Sequence, residues 1–239
     1  MGANVSEHRN LLTLLAATGE GVTGTQRRLD EKNDRANVRT VSKGASTRDA
    51  VLGHALALAS EVGLEGVTIG TLADRAQMSK SGLFAHFESK EALQIAVLEE
   101  AVRRFVDLVV SPALKKKRGE PRLRALLENW SAWADADFMP GGCIFVASIA
   151  ELDDRPGKVH DRLAESQRDW LDTLAGSIRI AIEEGHFRKD LDPSALAQEL
   201  LALAYGTHLL SRLLRDPKAM SRLRNAVERL LVGARIPRS

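Results

Sequence analysis

The chain has 239 residues and carries 34 Lys and Arg against 32 Asp and Glu, a formal net charge of +2. That balance excludes a polycation that coats nucleic acid by bulk charge, so affinity for DNA has to come from where the charges sit. One cysteine excludes an internal disulfide and a four-cysteine zinc site, and no apolar run approaches the length of a membrane span, which together point to a cytoplasmic protein. Ala, Leu and Arg dominate while Gly and Pro are sparse within long stretches, as in an all-α chain of one or two domains.

Residues 1–46 read as a flexible extension. Gly19, Gly21 and Gly24 are mixed with charges, and only Glu7 to Ala17 carries the pattern of a weak helix. Leu11 to Ala17 is too short for the core of a secretory signal and follows Glu7, His8 and Arg9. Seven bases (Arg9, Arg27, Arg28, Lys32, Arg35, Arg39, Lys43) outnumber five acids (Glu7, Glu20, Asp30, Glu31, Asp34). That suits a solvated tail, and it also suits a basic arm that follows the DNA minor groove.

Thr47 is expected to cap a helix with Val51, Ala55, Leu58 and Val62 on one stripe and Leu52, Leu56 and Ala59 beside it, and Gly63 to stop it. The stretch that organises the chain follows, TIGTLADRAQMSKSGLFAHFESK from Thr68 to Lys90. Thr68 caps a first helix with Ile69, Leu72, Ala73 and Ala76 on one face. That run ends around Gln77 and Met78. Ser79 caps a second helix, expected over Lys80 to His86, which turns Leu83 and Phe87 inward. Lys80, Ser81, Phe84 and His86 are left for other surfaces. An outer side that is polar, small and partly aromatic needs something to meet. A helix-turn-helix supplies it, with the second helix in the major groove and the first across the backbone. Ser89 caps the next helix.

The run SKSGLFAHFESKEAL resembles the tetracycline-repressor (TetR) family of bacterial transcription regulators. That family shows a Ser or Thr, a small residue, an aromatic, a His-Phe pair, a Ser-Lys-Glu step and an apolar residue in this order. The resemblance covers about Thr47 to Ala101 and departs from the family twice. The turn position usually filled by Gly is Gln77, which costs about 1 kcal/mol at positive φ. The usual Tyr is Phe84, which lacks a hydroxyl for phosphate. The resemblance implies that Ser79, Lys80 and Ser81 reach the DNA from the start of the recognition helix, with Lys80 and Ser81 near base edges. It implies that Gly82 lets the backbone approach and that Phe84 touches a thymine methyl or a sugar. His86, Lys90, Thr68 and Arg48 are implied on phosphates. Against this stands local charge: residues 47–91 hold Arg48, Arg75, Lys80 and Lys90 but also Asp49, Glu61, Glu65, Asp74, Glu88 and Glu91.

From residue 92 the chain reads as a larger helical domain, to residue 232, with a tail over 233–239. The fourth helix, expected over Ser89 to Val110, is apolar on two stripes and is ended by Ser111-Pro112. Leu114 to Pro121 is a basic loop. Further helices are expected over Pro121 to Ala134, Cys143 to Leu152, Lys158 to Glu184, Pro193 to Leu214 and Pro217 to Val232. The last two carry more apolar surface than one small domain covers. The family pairs them with their copies in a homodimer, which fits a two-fold protein on a palindromic operator of double-stranded DNA.

The resemblance also implies a small-molecule effector in a pocket of this domain. Trp130, Trp133, Phe138, Phe145, Trp170, Tyr205 and His208 are the bulky candidates with polar edges, and plain core packing is the competing reading for each. Cys143 follows Gly141-Gly142 at a helix start, where a thiolate is stabilised, which permits an oxidation sensor; a small buried residue is the other reading. No His pair sits four apart on a helix, and no phosphate loop, nucleophile elbow or Ser/His/Asp grouping is visible, so neither metal, cofactor nor catalysis is expected. The expectation is a dimeric all-α regulator, a ligand-released repressor. The alternative is an all-helical small-molecule binding or scaffold protein whose helix-turn-helix does not work, supported by the local acid excess and Phe84.

Overall fold

A computed structural model describes residues 37–237, with side chains from residue 47 onward. The helix expected over Glu7 to Ala17 lies outside the described residues, as do the bases of the arm up to Arg35. The first helix, α1, spans Asn37–Gly66. Thr47 therefore lies inside it and does not cap it, and residues 37–46 belong to the helix rather than to an extension. A capping residue biases a start but does not halt a helix already nucleated upstream, because each added residue gains a hydrogen bond at small cost. Gly63 does break α1, at φ 79 and ψ 166. A side chain there would also collide with the Glu151 carboxylate, at 1.5 Å from its Oε1.

Helix α2 spans Ile69–Ala76 and starts at a reciprocal cap, in which Thr68 accepts the Thr71 N–H and Thr71 accepts the Thr68 N–H. Gln77 sits in the left-handed region at φ 52, ψ 40, so the strain expected of a non-glycine turn residue is present. Helix α3 spans Lys80–Phe84, with the Ser79 hydroxyl accepting the Gly82 N–H. It is shorter than expected, because Ala85 to Glu88 must turn to bring Ser89 into the extended cap of α4 (Lys90–Phe105).

Pro112 does not end this helix. A π-helical turn over Val106–Val110 leads into α5 (Ser111–Leu114). Proline lacks an N–H and its ring collides with the carbonyl four residues back; widening to an i→i+5 turn accommodates both. The extra residue also rotates the helix faces, so Leu108 is 49% exposed, although Leu93, Val97, Ala101 and Phe105 at the same spacing would place it on a buried stripe, while Val109 and Val110 are buried.

The remaining helices are α6 (Glu120–Ala134), α7 (Ile144–Leu152), α8 (Lys158–Glu183), α9 (Pro193–Arg212) and α10 (Ala219–Ala234). Among the described residues there is no strand, only an isolated bridge of Phe187 with Arg235. That bridge and the Arg235 guanidinium on the Glu120 carboxylate (2.6 Å) tie down the start of the expected tail. Helices α1 to α3 close over Leu56, Leu64, Leu72, Leu83 and Phe87. Helix α4 runs out of this bundle and packs on α1 and α8, α7 packs on both of those, and α9 lies between α8 and α10. The first three helices thus join the rest through α4 and through α7. At the second contact the Gly141 N–H donates to the Ser60 hydroxyl at 3.0 Å.

Candidate nucleic-acid interface and effector cavity

Within the helix-turn-helix, Leu83 and Phe87 point inward and the other side of α3 is presented to solvent. Ser79, Lys80, Ser81 and Phe84 are exposed, Phe84 at 55%. Gly82 lies half-buried against the Ser79 hydroxyl. Arg48 stands with its guanidinium 5.5 Å from the Phe87 ring centroid, which joins α1 to this face, and the His86 ring tilts against Phe87 at 6.4 Å. Thr68 and Ser79 commit their hydroxyls to capping, so what each offers an anion is a helix start rather than a free hydroxyl. Lys90 is engaged elsewhere: its ammonium lies 3.1 Å from Glu65.

Three of the six acids around the motif are held in ion pairs. Arg75 grips Glu61 with two hydrogen bonds of 2.9 and 3.0 Å and holds its carboxyl below the usual range. Glu65 is held low by Lys90 and then by Gln94, and Glu91 pairs with Lys158 at 3.1 Å. Lys80 makes no ion pair among the described residues. The sequence missed the Arg75–Glu61 pair, because nothing local brings the ends of α1 and α2 together.

The larger domain holds a cavity of about 540 Å³ between α6, α8, α9 and α10. Its walls are Leu127, Leu174, Leu200, Leu201, Leu223 and Val227, and Arg124 and Glu228 close one side with hydrogen bonds of 2.6 and 3.1 Å. A small second cavity, about 30 Å³, lies among α4, α7, α8 and α9. Trp130 and Trp170 line both; Phe145 and Tyr205 line the small one. Trp133, Phe138 and His208, expected in the pocket, line neither. Trp133 meets Phe105 edge-on at 5.2 Å, stacks on Phe145 at 6.0 Å, and donates its indole N–H to Cys143 Sγ at 3.3 Å. Phe138 sits edge-on to Trp133 on one side and under the Arg104 guanidinium on the other. His208 stands by Gly142. A bulky residue with a polar edge looks the same in sequence whether it meets a ligand or another aromatic. The cavity's aliphatic walls were visible in sequence only as inward stripes of α6, α8, α9 and α10.

Cys143 does start α7, with the backbone N–H groups of Val146 and Phe145 near its sulfur. Burial outweighs them and pushes the thiol up, so this position favours the neutral thiol. A long groove of about 760 Å³ runs over the outer face of α9 and α10, past Ala202, Gly206, Leu210, Ala226 and Leu230.

Residues 51–97 match the family described as bacterial regulatory proteins, tetR family, and residues 119–227 match the tetracyclin repressor-like C-terminal domain. The chain belongs to the TetR family. It is a DNA-binding transcription regulator with the family's two parts, the helix-turn-helix and the larger helical domain. The HTH-type transcriptional repressor DhaR of Mycobacterium sp. is 28% identical over 169 residues, which covers 70% of this chain and 83% of DhaR. A TetR regulator from Chloroflexus aurantiacus superposes with a TM-score of 0.73 at 25% identity, covering 82% of this chain and all of that one. AibR, solved with isovaleryl coenzyme A and operator DNA, superposes at 0.62 and 21% identity over 77% of this chain and 98% of AibR. The family members compared are regulators of transcription. No helix among the described residues is long and apolar enough to cross a membrane, and no group of His, Cys, Asp or Glu among them is arranged to hold a metal ion.

Proposed function

We propose that this TetR-family regulator is a repressor that binds a palindromic operator as a homodimer and is released by a small apolar effector. In this reading α3 enters the major groove. Lys80, Ser81 and Phe84 face the bases, Gly82 admits the backbone, Ser79 and Thr68 present helix starts, and Arg48, His86 and Lys90 stand toward phosphates. Lys90 reaches its phosphate by exchanging Glu65 for it. The observation that carries the reading is the outward face of α3: exposed Ser79, Lys80 and Ser81 accompany an exposed Phe84 ring that no packing requirement places there. Lys158 on Glu91 and Arg155 at 3.8 Å from Glu65 come from outside residues 47–91 and offset the excess of six acids over four bases that favoured a non-working helix-turn-helix.

Residues 47–91 act as the DNA-binding part and residues 92–232 as the effector and dimer part in this reading. The outer face of α9 and α10 supports dimerisation, with Leu209, Leu213 and Leu214 half or more exposed beside a groove whose small residues let another helix approach. The large cavity supports the effector, since its volume and apolar walls suit a molecule of drug size. The effector acts by favouring the spacing of recognition helices that does not match DNA, to the extent of its differential affinity for the two states. AibR, which shares the fold, was solved with both isovaleryl coenzyme A and operator DNA.

Fluorescence anisotropy of the full chain on DNA from upstream of its own gene, beside a scrambled duplex and across salt, tests the reading. Tight binding to the first duplex alone is expected. Equal and steeply salt-dependent binding to both leaves only phosphate attraction and rejects specific repression at that site.

A further inference from the structure

The small cavity differs from the large one in its chemistry. Phe105, Trp130, Phe145 and Trp170 form an aromatic wall, and Tyr205, Gln167, Ser166 and Asp169 form a polar end. The polar end has a direction. The Tyr205 hydroxyl donates to Gln167 Oε1, the Gln167 amide donates to the Ser166 hydroxyl at 3.2 Å, and Ser166 donates to the Leu163 carbonyl at 2.7 Å. The Tyr205 and Ser166 hydroxyls and one of the two Gln167 amide N–H groups are committed within this chain, which leaves the Tyr205 oxygen, on the cavity wall, able to accept. The Asp169 carboxylate has no hydrogen-bond partner among the described residues. Burial raises its pKa, Glu165 and Asp172 add to that, and Arg162 and Arg168 oppose it. Arg162 is drawn off by Glu99 and Glu165. The end is therefore rich in acceptors and electronegative, with aromatic faces beside it, which is the environment that attracts an N–H or O–H donor and a cation.

The same two indoles, Trp130 and Trp170, wall both cavities. We infer that the two cavities are the ends of one site that opens when an indole turns, and that its ligand is an elongated apolar molecule whose buried end donates a hydrogen bond, as a hydroxyl or a protonated amine does. The apolar body fills the space between α6, α8, α9 and α10, and the donor passes the indoles to Asp169 and the Tyr205 oxygen. The inference rests on the effector reading above and names the class of effector.

The three tryptophans of the chain are Trp130, Trp133 and Trp170, so intrinsic fluorescence reports on this region directly. The full-length protein is titrated with three probes that differ only at one end: 1-decanol, decylamine and decanoate. Decanol and decylamine are expected to change the emission and bind about ten-fold or more tighter than decanoate, as a site whose polar end is rich in acceptors requires. Asp169→Asn is expected to remove most of the preference for decylamine, and Tyr205→Phe to weaken decanol more than decanoate. A variant that merely loosens the fold weakens all three probes alike, and that result for Asp169→Asn overturns the inference. So does decanoate binding as tightly as the other two, or no binding by any of them. Operator anisotropy with the same probes separates the two readings. If decanol and decylamine bind with the expected preference but leave operator affinity unchanged, the effector reading fails and the donor site stands. If decanoate alone releases the operator, release stands and the donor class is wrong.

Discussion

Gly141 has no side chain because there is no room for one. A β-carbon at this position would stand 1.6 Å from the backbone oxygen of Ser60, and backbone, unlike the end of a flexible side chain, cannot swing aside. The Gly141→Ala variant is therefore expected to lose about 2–3 kcal/mol by forcing α1 away from the segment before α7. In a thermal melt that reads as a fall of roughly 5–10 °C. His208 supplies a pH dependence. Burial first, then the nearby Arg212, lowers its pKa from the ordinary 6.5. The unfolded chain then binds the proton more readily than the folded one, so stability is full above about 6.5 and falls as pH drops below it. Urea midpoints measured from pH 7.5 to 5.5 should fall more steeply for the wild type than for His208→Gln, which has nothing to protonate.

At the scale of elements, α3 is held by its neighbours. Five residues are far too few for a helix to stand alone in water, and α3 persists through the Ser79 cap on one side and buried Leu83 on the other. Its outward residues are therefore replaceable without unfolding it. Lys80→Ala is expected to weaken operator binding by about 1–3 kcal/mol and binding to a scrambled duplex much less, if its role is at base edges. Anisotropy on the two duplexes decides it, and an equal loss on both would move Lys80 to the phosphates. The caps Thr68, Ser79 and Ser89 and the inward pairs of α2 and α3 were legible in the sequence, because capping and periodicity act within a few residues. The π turn at Val106–Val110 was not, since Pro112 in a helical pattern reads as a stop unless the preceding turn can widen.

At the scale of the whole molecule, one question is what covers α9 and α10. Leu213 is 72% exposed and makes no contribution to the core, so a charge there should leave the fold intact. Leu213→Asp is expected to convert a dimer to monomers in light scattering and to cost operator affinity about a hundred-fold, because one recognition helix then binds without its partner. A monomeric wild type, or a dimer that survives the change, would place the interface elsewhere.

By itself the sequence determined most of the helices, the helix-turn-helix and which side of α3 faces outward, since caps, glycine stops and apolar spacing are local. It also determined the likeness to TetR regulators, which rests on one contiguous run. Only the tertiary structure decided that Thr47 lies inside α1, that Glu61 and Glu65 are answered by Arg75 and Lys90, and that Trp133 and Phe138 pack on other rings while Trp130 and Trp170 line a cavity, Trp170 with one edge contact to Phe105. An aromatic residue on an inward stripe has to be buried, but what it is buried against depends on residues far away in the chain. Whether that neighbour is another ring or a cavity is settled only when the helices pack.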